Sequence, residues 1–219
     1  MRKGDQKRQD MLTAAERLFL AKGYEATSVQ DILDVLHASK GGFYHHFSSK
    51  EDVLKILCAQ RAERAAAWTA AALEGTEGDM ARITLVLRGF TPIRREEAEF
   101  LRMLLPIISR SEGRAMAMIY QDSLLSHFLP LLEQEVAVAA QNGTVCPPVR
   151  GMEDAVLQLV NACWMAVAAE LNDGVDPAAM LARVERYRRA IEVLLDAPYG
   201  SVEILRVEEM TAAARQICG

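Results

Sequence analysis

The sequence lacks the features that mark secreted and membrane-spanning proteins. Residues 1–10 are polar and charged and no apolar run follows them, so we expect no secretory signal. The longest apolar stretch, residues 155–171, is interrupted by Gln158 and Asn161 and is too short and too polar to span a bilayer. The four cysteines form no CxxC pair and show no metal-ligand spacing with histidine. We therefore expect a cytoplasmic protein that does not cross the membrane and has reduced, structural thiols; a redox-sensing cysteine is the alternative.

Motifs of catalysis are missing as well. The chain contains no GxSxG, no Walker loop, no HExxH and no carboxylate pair whose placement demands acid–base chemistry. The adjacent His45 and His46 do not suggest a metal site, because neighbouring residues of a helix point about 100° apart. The sequence predicts neither an enzyme nor a bound metal or cofactor.

A net basic charge is also absent, although charge is unevenly distributed. The 219 residues carry a formal charge of −5 and a pI of about 5.5, which argues against indiscriminate nucleic-acid binding. Residues 1–60 nevertheless hold nine Lys and Arg against eight Asp and Glu, with three of the four histidines, whereas the remainder carries a formal −6. A local basic surface within residues 1–60 can therefore still bind phosphates.

No segment alternates convincingly like a β-strand, so the predicted fold class is all-α. A long helix from Ser49 towards Leu73 is expected to connect two domains. The later predicted helices are 79–90, 95–109, 112–141, 152–172 and 177–196, the last with Asp176 as cap and Pro177 in its first turn. A further helix at 201–217 is possible.

Three helices with well-marked ends precede Ser49. Apolar residues at helical spacing predict a first helix that stops at Gly23, where glycine favours the left-handed conformation. Thr27 is predicted to cap the second helix, with Gln30 as its capping-box partner. Ser39 is predicted to cap a short third helix. Its Phe43, His46 and Phe47 are predicted core residues, and its opposite face consists of Lys40, Gly41, Tyr44 and His45.

The glycines and the helix after them point to a nucleic-acid ligand. Gly41 and Gly42 each lower the stability of the helix by roughly 1 kcal/mol relative to alanine. Close approach of the helix backbone to a groove would explain why glycine is used at both positions. Ser49 is predicted to cap the next helix with Asp52 in the capping-box position, which places Lys50 beside free N–H groups in a phosphate-binding arrangement. This order of features is typical of a DNA-binding helix-turn-helix.

The stretch from about Arg8 to Leu57 resembles the N-terminal domain of the tetracycline-repressor (TetR) family, above all in GYEATSVQDI at 23–32 and SKGGFYHHFSSKEDVL at 39–54. The resemblance covers roughly the first quarter of the chain, and the remainder matches the family in length and helical character. Gly42 and His45 stand where the family most often has a hydroxyl residue and a second tyrosine, which leaves the operator sequence open.

The predicted domains are a helix-turn-helix domain at 1–52 and a helical effector-binding and dimerisation domain at 53–219. Lys40 is expected to contact a phosphate or a guanine edge and Tyr44 a phosphate, the alternative being a merely solvated face. Thr27 and Ser28 could touch phosphate or serve only as caps. The predicted DNA-binding residues are Thr27, Ser28, Ser39, Lys40, Gly41, Gly42, Tyr44, His45 and Lys50.

Helix 152–172 is apolar nearly all round and must be covered on more than one side. Its small-residue seam could pack within one subunit or against a second copy, and the resemblance favours the homodimer. Two reading helices would then lie about one duplex turn (~34 Å), or a multiple of it, apart. The predicted dimer-interface residues are Ala155, Leu159, Ala162, Ala166 and Ala169.

Soft and aromatic side chains of the larger domain could line an effector pocket, which the resemblance implies, or form ordinary core. The predicted ligand-binding residues are Phe100, Met103, Met116, Tyr120, Trp164 and Met165, and the polar groups that could orient a ligand are Arg102, Tyr120, Asn161 and Glu170.

Taken together, the sequence predicts a TetR-like transcriptional regulator, more often a repressor in such families, that binds a palindromic double-stranded DNA operator as a homodimer. An unidentified small molecule would release it through its differential affinity for two states. The alternatives are an all-α small-molecule-binding protein without DNA binding, and an activator or redox-responsive regulator with the same fold.

Overall fold

A computed structural model describes residues 3–91, 100, 103, 107, 114–173 and 177–205. Within these residues the chain forms α-helices and no β-strand, which confirms the all-α prediction. The helices are α1 (Lys3–Lys22), α2 (Val29–Leu36), α3 (Lys40–His46), α4 (Lys50–Leu73), α5 (Asp79–Phe90), α6 (Arg114–Gln141), α7 (Glu153–Asp173) and α8 (Pro177–Leu195).

The chain divides into two compact units. One unit comprises Met1–Arg61 with Glu99–Tyr120, and the other comprises Ala62–Ala98 with Gln121–Gly219. In the first unit α1 packs on α2 and α2 packs on α3. The predicted domains at 1–52 and 53–219 stay a prediction, since α4 runs without interruption from Lys50 to Leu73.

The end of α1 follows the predicted pattern. Gly23 adopts a φ of +88°, and its N–H donates to the carbonyl of Phe19 at 3.0 Å. A residue with a side chain is strained in this left-handed conformation, whereas glycine is not. The chain therefore turns sharply at Gly23 and enters the short loop before α2.

The N-terminus of α2 corrects the predicted cap. Ser28, not Thr27, is the N-cap, and its partner is Asp31, not Gln30. The Ser28 hydroxyl accepts from the Asp31 N–H at 3.1 Å, and the Asp31 carboxylate accepts from the Ser28 N–H at 2.6 Å. The predicted pair stood one residue too early because threonine and serine have equal capping chemistry and either can start the motif.

The next two helices, α3 and α4, begin at their predicted N-cap residues. The Ser39 hydroxyl accepts from the Gly42 N–H at 3.2 Å, and the Ser49 hydroxyl accepts from the Asp52 N–H at 3.2 Å. The Asp52 carboxylate accepts from the N–H of Ser48, not from that of Ser49, at 3.0 Å. Both predicted capping residues, Ser39 and Ser49, are thus confirmed. The Asp52 carboxylate binds the N–H of the residue before the cap and not that of the cap itself.

The core of the first unit is apolar and holds α3 by two phenylalanines. Phe43 and Phe47 are buried with ring centroids 5.3 Å apart, as predicted. The prediction of His46 as a core residue was wrong, because its side chain is half-exposed. The other buried side chains of α1, α2 and the start of α4 include Met11, Leu12, Ala15, Phe19, Ile32, Leu33, Val53, Leu54, Leu57 and Cys58.

The second unit packs α7 along α8 and against α5. The helix predicted at 79–90 has these bounds, and the helices predicted at 112–141, 152–172 and 177–196 agree within two residues. Pro177 is the first residue of α8, as predicted, whereas Asp176 lies outside the described residues. Of the helix predicted at 95–109, the described residues Phe100, Met103 and Ile107 are helical.

The segment after α8 does not form the predicted helix where it is described. Residues 201–205 are non-helical, so the start of the helix predicted at 201–217 was wrong, and residues 206–217 lie outside the described part. Val202, Ile204 and Leu205 are buried. This segment therefore packs through its side chains in an irregular conformation.

Three cysteines carry free thiols in the described part of the chain. Burial raises the pKa of Cys58 and of Cys163 to about 12, which keeps both thiols protonated and unreactive near neutral pH. Cys146 is exposed, and Cys218 lies outside the described residues. No helix among the described residues is both long enough and apolar enough to cross a membrane.

Candidate nucleic-acid interface

The outer face of α3 is open to solvent. The side chains of Lys40, Tyr44 and His45 are exposed, as is Gly41, and Tyr44 retains 57% of its surface. Phe43, on the opposite side, is fully buried and contacts the Tyr44 ring edge-on at 5.4 Å. The predicted division of α3 into a buried and an exposed face is therefore confirmed, and the buried phenylalanine fixes the direction in which the exposed residues point.

The two glycines of α3 have different surroundings. A Cβ atom at Gly41 would meet nothing within 4 Å. A Cβ atom at Gly42 would lie 3.3 Å from the Lys7 Nζ and 3.3 Å from the Ser39 hydroxyl oxygen. The space above Gly42 is thus occupied by a lysine of α1, a contact that the helical periodicity of α1 could not reveal.

Thr27 has little surface to offer a ligand. Its side chain is 1% exposed, and its hydroxyl donates to the Gly23 carbonyl at 2.8 Å. Ser28 is exposed, and its hydroxyl also donates to the Asp31 carboxylate at 2.7 Å. Ser28 therefore keeps an exposed surface, whereas Thr27 is a buried support of the loop.

A carboxylate lies at the start of α2. Asp31 forms a 2.8 Å salt bridge with Lys22 in addition to its bonds with Ser28. The Lys22 ammonium and the Ser28 hydroxyl together hold the pKa of the Asp31 carboxyl well below its usual range. Near neutral pH the α2 N-terminus therefore carries its own anion, which disfavours a phosphate at the same place.

Lys50 points inwards to the loop between α1 and α2. Its ammonium donates to the carbonyls of Tyr24 and Thr27 at 2.9 Å each and lies 4.2 Å from the centre of the Tyr24 ring. A lysine has three N–H donors, so one remains for another acceptor. The predicted phosphate clamp stays a prediction, and the observed role of Lys50 is to tie α4 to the preceding loop.

Arg61 of α4 contacts both Glu16 of α1 and Phe100, and the sequence did not predict either contact. Arg61 forms a 2.7 Å salt bridge with Glu16, and its guanidinium lies 4.0 Å from the centre of the Phe100 ring. Phe100 in turn contacts Tyr120 edge-on, with ring centroids 6.2 Å apart. These partners are separated by tens of residues in sequence, so no local pattern could identify them.

The predicted ligand-binding residues are mostly buried. Phe100, Met103 and Tyr120 belong to the first unit, and Trp164 and Met165 belong to the second. Met165 is half-buried and the other four are buried. The effector pocket stays a prediction. Asn161 is half-buried, whereas Arg102 and the side chains of Met116 and Glu170 lie outside the described part.

The predicted dimer seam of α7 keeps part of its surface open. Ala155, Leu159 and Ala166 are half-buried and Ala162 is exposed, whereas the side chain of Ala169 lies outside the described part. The adjacent face of the same helix is buried through Val156, Val160, Cys163 and Val167. On α8, Leu181 and Val193 are exposed by 40% and 58%.

A small helical unit whose third helix has one buried and one exposed face is typical of helix-turn-helix DNA-binding domains. Residues 11–56 match the model of the family described as "Bacterial regulatory proteins, tetR family". They include α2, α3 and the start of α4. This segment therefore matches the N-terminal domain of the family.

Similar proteins agree on this domain. The chain is 47% identical over 45 residues to an uncharacterised HTH-type transcriptional regulator of Lactococcus lactis, covering 20% of this chain and 23% of that protein. It is 37% identical over 60 residues to the HTH-type transcriptional repressor AcnR of Corynebacterium diphtheriae, covering 27% of this chain and 32% of AcnR. The chain thus spans about a third or less of the length of these two relatives.

A solved structure extends the likeness to the fold. A TetR-family transcriptional regulator from Syntrophomonas wolfei superimposes with a TM-score of 0.61 at 17% identity, covering 85% of this chain and 95% of that chain. At this identity the similarity shows the fold alone.

Proposed function

We propose that the chain is a transcriptional regulator that binds a double-stranded DNA operator as a homodimer and acts as a repressor. A small molecule would release the protein from this operator. The observation that carries this proposal is the exposed face of α3, held in place by Phe43 and Phe47 behind it. The match of residues 11–56 to the tetR family supports the same function.

The exposed side chains suit a major groove. Lys40 carries a charge that can meet a phosphate or the acceptor edge of guanine, and the Tyr44 hydroxyl can donate to a phosphate. His45 can contact a phosphate beside them. Gly41 has no side chain, so the backbone of α3 can approach the DNA closely. The two buried phenylalanines prevent α3 from rotating away from this contact.

A homodimer would set the distance between two such faces. The half-buried and exposed residues of the α7 seam, together with Leu181 and Val193 of α8, leave apolar side chains open that a second copy can cover. Two copies related by a two-fold axis would read a palindromic site with half-sites about 34 Å, or a multiple of it, apart. The C-terminal helices would thereby determine the spacing of the operator.

The effector would act by changing that spacing. A ligand shifts the equilibrium between two separations only by its difference in affinity for them. Phe100, Met103 and Tyr120 supply apolar and aromatic surface for such a ligand. The rival function, a ligand-binding protein without DNA binding, would require that the exposed face of α3 has no role.

The test is a double variant of the reading face. Lys40→Ala with Tyr44→Ala should weaken binding to a selected operator at least about 100-fold, because each subunit loses two contacts of about 1–3 kcal/mol. Arg150→Ala with Tyr199→Ala removes an exposed cation and an exposed phenol from the second unit and should bind as the wild type does. Equal binding by the two folded double variants would contradict the assigned face.

A further inference from the structure

Lys7 reaches from α1 to α3. Its Nζ lies 3.3 Å and its Cε 3.8 Å from the position that a Cβ atom of Gly42 would occupy. An ammonium carried by one helix therefore stands where a short side chain of the recognition helix would be. Gly42 leaves room for this arrangement, since a Cβ atom at 3.3 Å would require the end of the lysine to shift by a few tenths of an ångström.

The charge of Lys7 is available to a ligand. Lys7 is exposed, and among the residues that the structure describes its ammonium takes part in no salt bridge or hydrogen bond. Lys22 on the same helix is paired with Asp31, and Lys50 is bound to two backbone carbonyls. Lys7 is thus unlike these two lysines of the first unit, whose charges are already used within the fold.

The neighbours of Lys7 favour an anion. Lys40, two residues before Gly42, is exposed on the first turn of α3, and Arg8 lies over the Phe47 ring at 5.4 Å. Of the nearby acids, Asp10 accepts a hydrogen bond from Gln6 at 2.8 Å. With Arg8 next to it in α1 and no partner for its own ammonium among the described residues, Lys7 has the electrostatics of a phosphate contact.

We propose that Lys7 is a DNA-contact residue whose ammonium binds a backbone phosphate beside the recognition helix. This inference rests on the proposed function and adds to it a second helix that touches the operator. A point charge on a flexible stem suits a phosphate better than the directional edge of a base. Lys7 should therefore strengthen binding to all sequences rather than select among them.

The experiment compares Lys7→Ala with Arg17→Ala, an exposed cation on the same helix, as the matched control. Fluorescence anisotropy measures binding to a selected operator and to a scrambled duplex at several salt concentrations. For a dimer, Lys7→Ala should weaken binding to both duplexes by roughly ten- to hundredfold and lower the slope of log K against log salt by about 2. Arg17→Ala should leave affinity and slope unchanged.

Two results would overturn the inference while leaving the proposed function intact. The first is binding by Lys7→Ala that equals the wild type with an unchanged salt slope. The second is a loss of affinity confined to one operator base pair, which would indicate base readout. Absence of operator binding by the wild-type protein would instead overturn the proposed function. Thermal unfolding of each variant establishes that the compared proteins are folded.

A double-mutant cycle tests the contact itself. Gly42→Ala places a methyl group 3.3 Å from the Lys7 Nζ, closer than an ordinary contact, so that ammonium should shift by a few tenths of an ångström. If the two residues act together, the loss of affinity in the double variant is smaller than the product of the two single losses. Multiplicative losses would show that Lys7 and Gly42 act independently and would contradict the arrangement.

Discussion

The two glycines of α3 illustrate how one residue type serves two purposes. Gly41 faces open space, whereas Gly42 lies beneath the end of Lys7. The helical position of both glycines predicts close approach to a groove, and in the structure Gly42 has an additional neighbour, Lys7 of α1. Only the contact between α1 and α3 distinguishes these adjacent positions.

Gly41→Ala should separate stability from DNA binding. Nothing within 4 Å would meet the added methyl group, and alanine favours a helix over glycine by about 0.5–1 kcal/mol. The variant should therefore unfold at a higher urea concentration while binding its operator more weakly, because the methyl group holds the backbone away from the DNA. Unchanged or stronger binding would contradict close approach at this position.

The position of Lys50 was predicted from the sequence, but its binding partners were not. Its place beside free N–H groups at the start of a helix predicted a phosphate clamp, and its position in α4 is as expected. The carbonyls of Tyr24 and Thr27 that bind it lie 26 and 23 residues earlier in the chain. A contact of this range depends on the packed unit, so the capping pattern could not predict it.

At the scale of elements, local signals predicted the helices well. Gly23, Ser39 and Ser49 mark helix ends through their own chemistry, and all three predicted boundaries are confirmed. The cap of α2 was misplaced by one residue because Thr27 and Ser28 are chemically equivalent starts. The irregular segment 201–205 was mistaken for a helix, since its conformation depends on contacts with the rest of the second unit rather than on its own periodicity.

A buried carboxylate holds that segment. Glu192 of α8 is fully buried and is paired with Arg188, and it accepts hydrogen bonds from the N–H groups of Gly200 and Val202 at 2.9 and 3.3 Å. Arg189 adds a further contact at 3.3 Å. One side chain thus joins two arginines of its own helix to the backbone beyond the helix end.

Glu192→Ala should destabilise the protein strongly. The substitution leaves Arg188 without its buried partner and two N–H groups without an acceptor, for which about 3–5 kcal/mol is expected. Glu185 also pairs with Arg188 but is 54% exposed, so Glu185→Ala should cost about 1 kcal/mol or less. Urea unfolding measures both values; equal destabilisation by the two variants would contradict the role assigned to Glu192.

In the whole molecule, the local motifs could be predicted from the sequence, whereas the contacts between residues distant in sequence could not. The motif from 23 to 54 was sufficient to predict the helix-turn-helix and its exposed face, because caps and periodicity are local. The Glu16–Arg61 ion pair, the Arg61–Phe100 contact and the position of Lys7 over Gly42 could not be predicted, because each joins residues distant in sequence. The dimer and the effector pocket remain proposals at this scale.

Selection of bound sequences from a random double-stranded DNA library, followed by sequencing, tests whether α3 reads DNA. It requires no knowledge of the operator. We predict enrichment of a two-fold symmetric site whose half-site centres are separated by about 10 base pairs or a multiple of that distance. A folded protein that enriches no sequence would contradict the proposal that α3 reads DNA.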